Sequence, residues 1–111
     1  MSGISTHVLD TSRGRPAAGV PVHLDRADDS RWEFLGSAVT DADGRVPALL
    51  DSPPAEGRYR LTFDTAAYFA AVGAHAFYPE VSVTFVVNGD DDHYHVPLLL
   101  NPFAYSTYRG S

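Results

Sequence analysis

The side chains that could do chemistry are concentrated near the end of this 111-residue chain. His93 and His95 flank Tyr94, and the run that begins there ends in Tyr108-Arg109-Gly110-Ser111. Residues two apart in an extended strand point to the same face, so the two imidazoles would lie side by side. The stretch thus combines two groups that titrate near neutral pH with a phenol, a guanidinium and a hydroxyl.

The histidine pattern leaves three interpretations open. A metal could bind His93 and His95, but a zinc site needs a third protein ligand, and the spacing does not identify one. A histidine could act as a general acid or base, or the histidines could be solvated strand residues. His7 lies in another strand-like segment and is a further candidate, whereas His23 and His75 are interpreted as structural or surface residues.

Arg45 follows a short acidic turn, Asp41-Ala42-Asp43-Gly44. The turn has the DxDG pattern of a calcium loop, but such a loop needs a glutamate at its twelfth position, where this chain has Ser52. We therefore reject calcium and predict an Asp/Gly turn. The polar candidates are then His7, Arg45, His95 and the terminal residues Tyr108 to Ser111.

Composition excludes several classes of function. The formal charge is −6, and all eight basic residues are arginines, so the broad basic face that nucleic acid requires is not expected. The absence of cysteine excludes disulfides and thiolate catalysis. No apolar run is long enough to span a membrane, and the N-terminus has no signal-peptide pattern. We expect a cytoplasmic protein without a nucleic-acid or membrane partner.

Hydrophobic periodicity predicts one domain, residues 1–111, built from seven or so strands and one short helix. The helix is expected to begin at Asp64 or Thr65 and to end near Val72, with Gly73 terminating it. Asn88-Gly89 predicts a hairpin, and the acidic run Asp90 to Asp92 that follows would lengthen its turn. The predicted strands are Ile4–Thr11, Val20–Asp25, Arg31–Thr40, Arg58–Phe63, Val81–Val87, His93–Leu100 and Ala104–Arg109. The pattern favours an all-β fold, a two-sheet antiparallel β-sandwich.

Two long stretches resemble a known family. STHVLDTSRGRPAAGVPV, at Ser5 to Val22, and HYHVPLLLNPFAYSTYRGS, at His93 to Ser111, are similar to the two signatures of the 5-hydroxyisourate hydrolases, the transthyretin-like enzymes of urate breakdown. DADGR at Asp41 to Arg45 and AYFAAVGAHAFYPEVSVTF at Ala67 to Phe85 fit as well. The resemblance covers essentially the whole chain and implies the transthyretin-like sandwich.

The family has an enzyme branch and a hormone-carrier branch, which share the fold and differ at the site. The enzymes end in Tyr-Arg-Gly-Ser or its threonine variant and keep the second histidine of the HYH run. Here His95 and Tyr108 to Ser111 are present. The chain therefore resembles the enzyme branch, and a carrier of small ligands without catalysis is the alternative.

The resemblance implies hydrolysis of 5-hydroxyisourate to 2-oxo-4-hydroxy-4-carboxy-5-ureidoimidazoline, with no metal or organic cofactor. It also implies a homotetramer with a central channel and sites built from more than one subunit. The implied catalytic residues are His7, Arg45, His95 and Ser111, and the implied substrate-binding residues are His7, Arg45 and Tyr108. Arg45 suits a developing oxyanion, Tyr108 a flat heterocycle, and Ser111 the water or a histidine. Which histidine activates the water is left open.

Overall fold

The computed structural model describes residues 3–111, which form nine strands and one helix in two sheets. The strands are β1 (Gly3–Asp10), β2 (Arg15–Pro16), β3 (Pro21–Asp28), β4 (Arg31–Val39), β5 (Arg45–Leu50), β6 (Gly57–Phe63), β7 (Val81–Val87), β8 (His93–Asn101) and β9 (Ala104–Thr107), and the helix is α1 (Thr65–Ala71). The predicted two-sheet sandwich with one short helix is confirmed.

The first sheet has the order β2-β1-β8-β9, and β5 pairs with the N-terminal part of β1. One pairing departs from the predicted antiparallel arrangement, because β1 and β8 run parallel over their full length, from Gly3↔His93 to Asp10↔Leu100. A parallel pair needs a long crossover connection, and here the intervening strands of both sheets provide it. The sequence pattern of β8 does not encode this direction.

The second sheet has the order β4-β3-β6-β7 and is antiparallel throughout. The hairpin predicted at Asn88-Gly89 is wrong. The turn leaves β7 in the second sheet and leads to β8 in the first, so the two strands do not pair with each other. Asn-Gly favours a tight reversal, but which strands pair is decided by how the two sheets pack.

Alternate residues of both sheets face each other and form the core. On β8, Tyr94, Val96, Leu98 and Leu100 are buried, as the period of two predicts. Facing side chains come from the second sheet and from α1. The buried hydrophobic cluster consists of Ile4, Val8, Ala17, Val20, Val22, Leu24, Tyr59, Leu61, Phe63, Tyr68, Phe69, Val81, Val87, Tyr94, Val96, Leu98 and Leu100.

Helix α1 begins where the sequence predicted. Asp64 is its N-cap, and its side chain accepts a hydrogen bond from the amide of Ala67 at 3.0 Å. Gly73 follows the helix with a φ of 78°, a conformation that suits glycine. The Tyr68 hydroxyl donates a 2.6 Å hydrogen bond to buried Asp10 and so ties the helix to the end of β1.

Candidate active site

Parallel pairing of β1 with β8 brings the polar residues of both strands together on the outer face of the first sheet. Ser5 lies opposite His95, Gly3 opposite His93, and His7 opposite Pro97. The side chains of His93 and His95 point to the same face, as the sequence predicted: their ring centroids are 6.3 Å apart and the planes are inclined by 26°. Neither strand alone would create this cluster.

Ser5 connects the two imidazoles. Its hydroxyl oxygen lies 2.8 Å from Nε2 of His93 and 2.8 Å from Nδ1 of His95. Ser5 is only 4% exposed, so the bridging hydroxyl is largely shielded from water. The bond to Nδ1 leaves Nε2 as the ring nitrogen of His95 that is available to a ligand.

A compact turn positions Arg45 at the start of β5. The carboxylate of Asp41 accepts hydrogen bonds from the amides of Asp43 at 2.9 Å and of Arg45 at 3.0 Å. Gly44 has a φ of 75°, and a Cβ on it would lie 2.3 Å from the carbonyl oxygen of Val8, so the turn packs directly against β1. The predicted Asp/Gly turn is confirmed, and it places Arg45 opposite His7 in the β1–β5 register.

The end of the chain passes over the ring of His95. After β9, Gly110 forms a bridge to His95, and its amide donates a 2.8 Å hydrogen bond to the carbonyl of His95. A Cβ on Gly110 would lie 2.5 Å from Cδ2 of His95. Only a residue without a side chain fits here, and this close approach brings Ser111 to the cluster.

The cluster lines a cavity of about 310 Å³. Its lining residues are Ser5, Thr6, Arg45, Pro47, His93, His95 and Ser111. Of the predicted site residues, Arg45, His95 and Ser111 therefore share one cavity. A cavity on the second sheet is larger, at about 410 Å³, but none of the predicted site residues lines it.

His7 and Tyr108 are not among the lining residues of this cavity. His7 lies beside it, since it pairs with Arg45 across β1 and β5 and its charge affects His95. Tyr108 is 58% exposed and lines a neighbouring cavity of about 230 Å³, which His95 also lines. Within one chain the structure thus places both residues next to the cavity rather than in it.

The pKa of His95 is lowered from its ordinary value of 6.5. Burial is the main cause, because it disfavours the charged imidazolium, and the positive charges of His93, His7 and Arg45 act in the same direction. His95 is therefore neutral at neutral pH and can accept a proton there.

Arg109 anchors the terminal segment, Tyr108 to Ser111, to the turn before β8 and to the side chain of Tyr94. Its guanidinium lies 3.2 Å from a carboxylate oxygen of Asp90 and 4.5 Å from the ring centroid of Tyr94. The pair is half-exposed, so it adds little to stability, but it fixes the direction of the segment. Tyr108 and Arg109 lie beyond the end of β9 and line the same neighbouring cavity of about 230 Å³.

Four lining residues were not among the site residues predicted from the sequence: Ser5, Thr6, Pro47 and His93. Ser5 was not singled out, and His93 was weighed as a metal ligand, a general acid or base, or a solvated strand residue without being kept as a site residue. Spacing could have found Ser5, because it lies two residues from His7 on the same strand.

Across residues 3–111, no three histidine, aspartate or glutamate side chains come together in a way that could hold a metal ion. Within the same residues, no helix has the length and apolar character needed to cross a membrane.

The fold and the cavity define a class of protein: a two-sheet β-sandwich with a polar, histidine-lined cavity on the outer face of one sheet. Sequence comparison makes the assignment specific, because residues 4–110 match the profile of the HIUase/Transthyretin family. The chain belongs to this family, which confirms the resemblance seen in its motifs.

Individual relatives come from both branches of the family. The 5-hydroxyisourate hydrolase of Caulobacter vibrioides is 44% identical over 115 residues, which cover 100% of both chains. Among solved structures, the 5-hydroxyisourate hydrolase of Klebsiella pneumoniae is 43% identical with a TM-score of 0.88 and covers 100% of each chain. Transthyretin from Sparus aurata is 31% identical with a TM-score of 0.92 and covers 99% of this chain and 97% of its own. Backbone similarity alone therefore does not separate enzyme from carrier.

Proposed function

We propose that the protein hydrolyses 5-hydroxyisourate to 2-oxo-4-hydroxy-4-carboxy-5-ureidoimidazoline in urate degradation. One observation carries the proposal: a half-buried histidine of lowered pKa and an arginine line the same cavity, and the chain's Tyr-Arg-Gly-Ser end reaches it. Support also comes from relatives named 5-hydroxyisourate hydrolase. They are about as long as this chain and have a higher sequence identity to it than the Sparus aurata transthyretin has.

The residues of the cavity suit the opening of a lactam ring by water. His95 accepts a proton from water through Nε2 and later returns it to the leaving nitrogen; such acid–base catalysis is worth about two to four orders of magnitude. Arg45 brings its guanidinium to the cavity, where it stabilises the negative charge that develops on the carbonyl oxygen. Ser111 supplies a hydroxyl that can hold the water. The reaction needs no metal or organic cofactor in this scheme.

We further propose that the active form is a homotetramer with composite sites. The cavity lies on the outer face of a sheet and is lined from one side only, which suits completion by another subunit. Tyr108 and His7 lie beside this cavity, so a second copy could bring a Tyr108 onto the bound heterocycle. Several large apolar side chains are also exposed. They are Phe34, Val39, Phe77, Tyr78, Val86, Phe103, Tyr105 and Tyr108.

Light scattering at micromolar protein tests the assembly and should return the mass of four chains. A monomer with full activity would refute the composite site. A cytoplasmic location stays a prediction from the sequence.

The alternative is a carrier that binds a small ligand without turnover. The transthyretin neighbours keep this alternative relevant, since one of them was solved with thyroxine. A carrier has no need for a neutral, half-buried histidine beside an arginine, whereas a hydrolase uses both.

The decisive experiment generates 5-hydroxyisourate from urate in situ and follows its decay optically. The protein should accelerate the decay in proportion to its concentration, and heat-denatured protein should not. Tight binding without faster decay would favour the carrier. If the protein neither binds the compound nor accelerates its decay, both proposals are refuted.

A further inference from the structure

The hydroxyl of Ser5 is placed as a link between two titratable rings. It contacts Nδ1 of His95 and Nε2 of His93 at the same distance, 2.8 Å, and is 4% exposed. Of the two histidines, the proposed hydrolysis uses only His95, and it gives no role to His93 or Ser5. Neighbouring Thr6 does not compete for the rings, since its hydroxyl donates to the carbonyl of Val96.

A single hydroxyl hydrogen limits how this chain of contacts can be arranged. If Ser5 donates to His93, then Nδ1 of His95 must carry the hydrogen that Ser5 accepts, and Nε2 of His95 is a free base. If Ser5 donates to His95, then Nε2 of His93 must carry a hydrogen, and Nε2 of His95 carries one too. As long as the Ser5 hydroxyl donates to one of the two rings, the two neutral histidines are in the same tautomer, and they switch together.

We propose that Ser5 is a positioning residue that holds His95 in its base form and relays a proton between His95 and His93. This inference rests on the proposed hydrolase function and adds the route of the proton.

The relay transfers one positive charge by moving two protons, and it leaves the serine chemically unchanged. When Nε2 of His95 has taken a proton from water, the ring is an imidazolium. Its Nδ1–H bond then breaks and that proton goes to the oxygen of Ser5, while the original hydroxyl proton of Ser5 passes to Nε2 of His93. The positive charge thus moves from His95 to His93, and Ser5 is again a hydroxyl. The reverse transfer makes His95 an imidazolium again, and its Nε2 then gives the proton to the leaving nitrogen.

The surroundings favour such a transfer. His95 is half-buried and faces the charges of His93, His7 and Arg45, so a proton does not stay on it easily. His93 stands at the start of β8, next to the acidic run Asp90 to Asp92, whose carboxylates are exposed to solvent. Once substrate fills the cavity, the route through Ser5 leads the charge away from the reacting atoms.

The test compares Ser5→Ala, Ser5→Thr and a matched control, Ser82→Ala, which removes an exposed hydroxyl from β7. We expect Ser5→Ala to lower kcat by at least about tenfold with KM nearly unchanged, because the relay supports acid–base catalysis rather than binding. Ser5→Thr keeps the hydroxyl and should recover most of kcat, and Ser82→Ala should match the unaltered protein. Only the proteins with a hydroxyl at position 5 should show a solvent isotope effect from more than one moving proton.

Nitrogen-15 NMR of labelled histidine provides a readout that does not depend on turnover. In the unaltered protein the neutral forms of His93 and His95 should have the same tautomer, and in Ser5→Ala the two rings should titrate independently. Opposite tautomers in the unaltered protein would refute the relay even if Ser5→Ala does not fold. Normal kcat in Ser5→Ala would also refute it. If the unaltered protein does not hydrolyse 5-hydroxyisourate at all, the proposed function fails, and the NMR result still decides whether the two rings are coupled.

Discussion

Gly110→Ala is the substitution that best tests whether the end of the chain positions His95. The added Cβ would lie 2.5 Å from Cδ2 of His95 and 3.1 Å from Cγ of Pro97. Carbon atoms in contact prefer about 3.5 to 4.0 Å, so the ring and the terminal segment must separate by about 1 Å. The segment itself tolerates alanine, because Gly110 is not among the glycines with a positive φ.

The expected loss of activity follows from that displacement. A misplacement of about 1 Å in a catalytic group can cost about a hundredfold in rate, and here it moves either His95 or Ser111. Stability should change little, by about 1 kcal/mol or less, since the residue lies in a half-exposed terminal segment. We therefore expect kcat/KM for 5-hydroxyisourate to fall about a hundredfold while thermal unfolding and oligomeric state stay nearly the same.

Gly36→Ala is the matched control. A Cβ on Gly36, in β4, would meet only the carbonyl oxygen of Leu49 at 3.5 Å, which is ordinary contact, and its φ is also not positive. This variant should keep full activity. If Gly110→Ala also keeps full activity, then the terminal segment does not position His95 and the catalytic site has been placed wrongly.

Further expected outcomes concern the same site. Arg45→Lys should abolish most turnover because it removes the planar fork, whereas Arg58→Lys, at an exposed position of β6, should not; equal rates would make Arg45 only a turn residue. Deleting Tyr108 to Ser111 should stop hydrolysis and leave a folded sandwich by circular dichroism. Exhaustive chelation should leave activity unchanged, and loss that zinc restores would contradict the metal-free scheme. Since the folded protein lowers the pKa of His95, its base form persists below pH 6.5, and kcat/KM should decline only at pH values under that; a decline centred above 6.5 would contradict this assignment.

Local pattern was sufficient for most of the elements. Alternation in β1, β3, β6 and β8 identified strands that the structure confirms, and Asp64 and Gly73 marked the ends of the helix. These features depend on side chains a few residues apart, which is why one sequence encodes them. The strand β5 was not predicted, because RVPALL contains a proline and does not alternate.

The motifs also determined which residues to consider. The two terminal signatures and the DADGR stretch identified the family, and they named Arg45, His95 and Ser111, which line one cavity. They named His7 and Tyr108 as well, which a single chain places only beside it. Motifs carry residue identity, but they do not carry the position of a side chain relative to a distant strand or to another subunit.

Tertiary structure alone decided how the chemistry is connected. The sequence favoured antiparallel sheets and a hairpin at Asn88-Gly89, whereas β8 lies parallel to β1 in the other sheet. That pairing, between residues about ninety positions apart, sets Ser5 between His93 and His95. Direction and register of such a pair are fixed by burying the inner faces of both strands across the whole sandwich, and no short stretch of sequence contains that information.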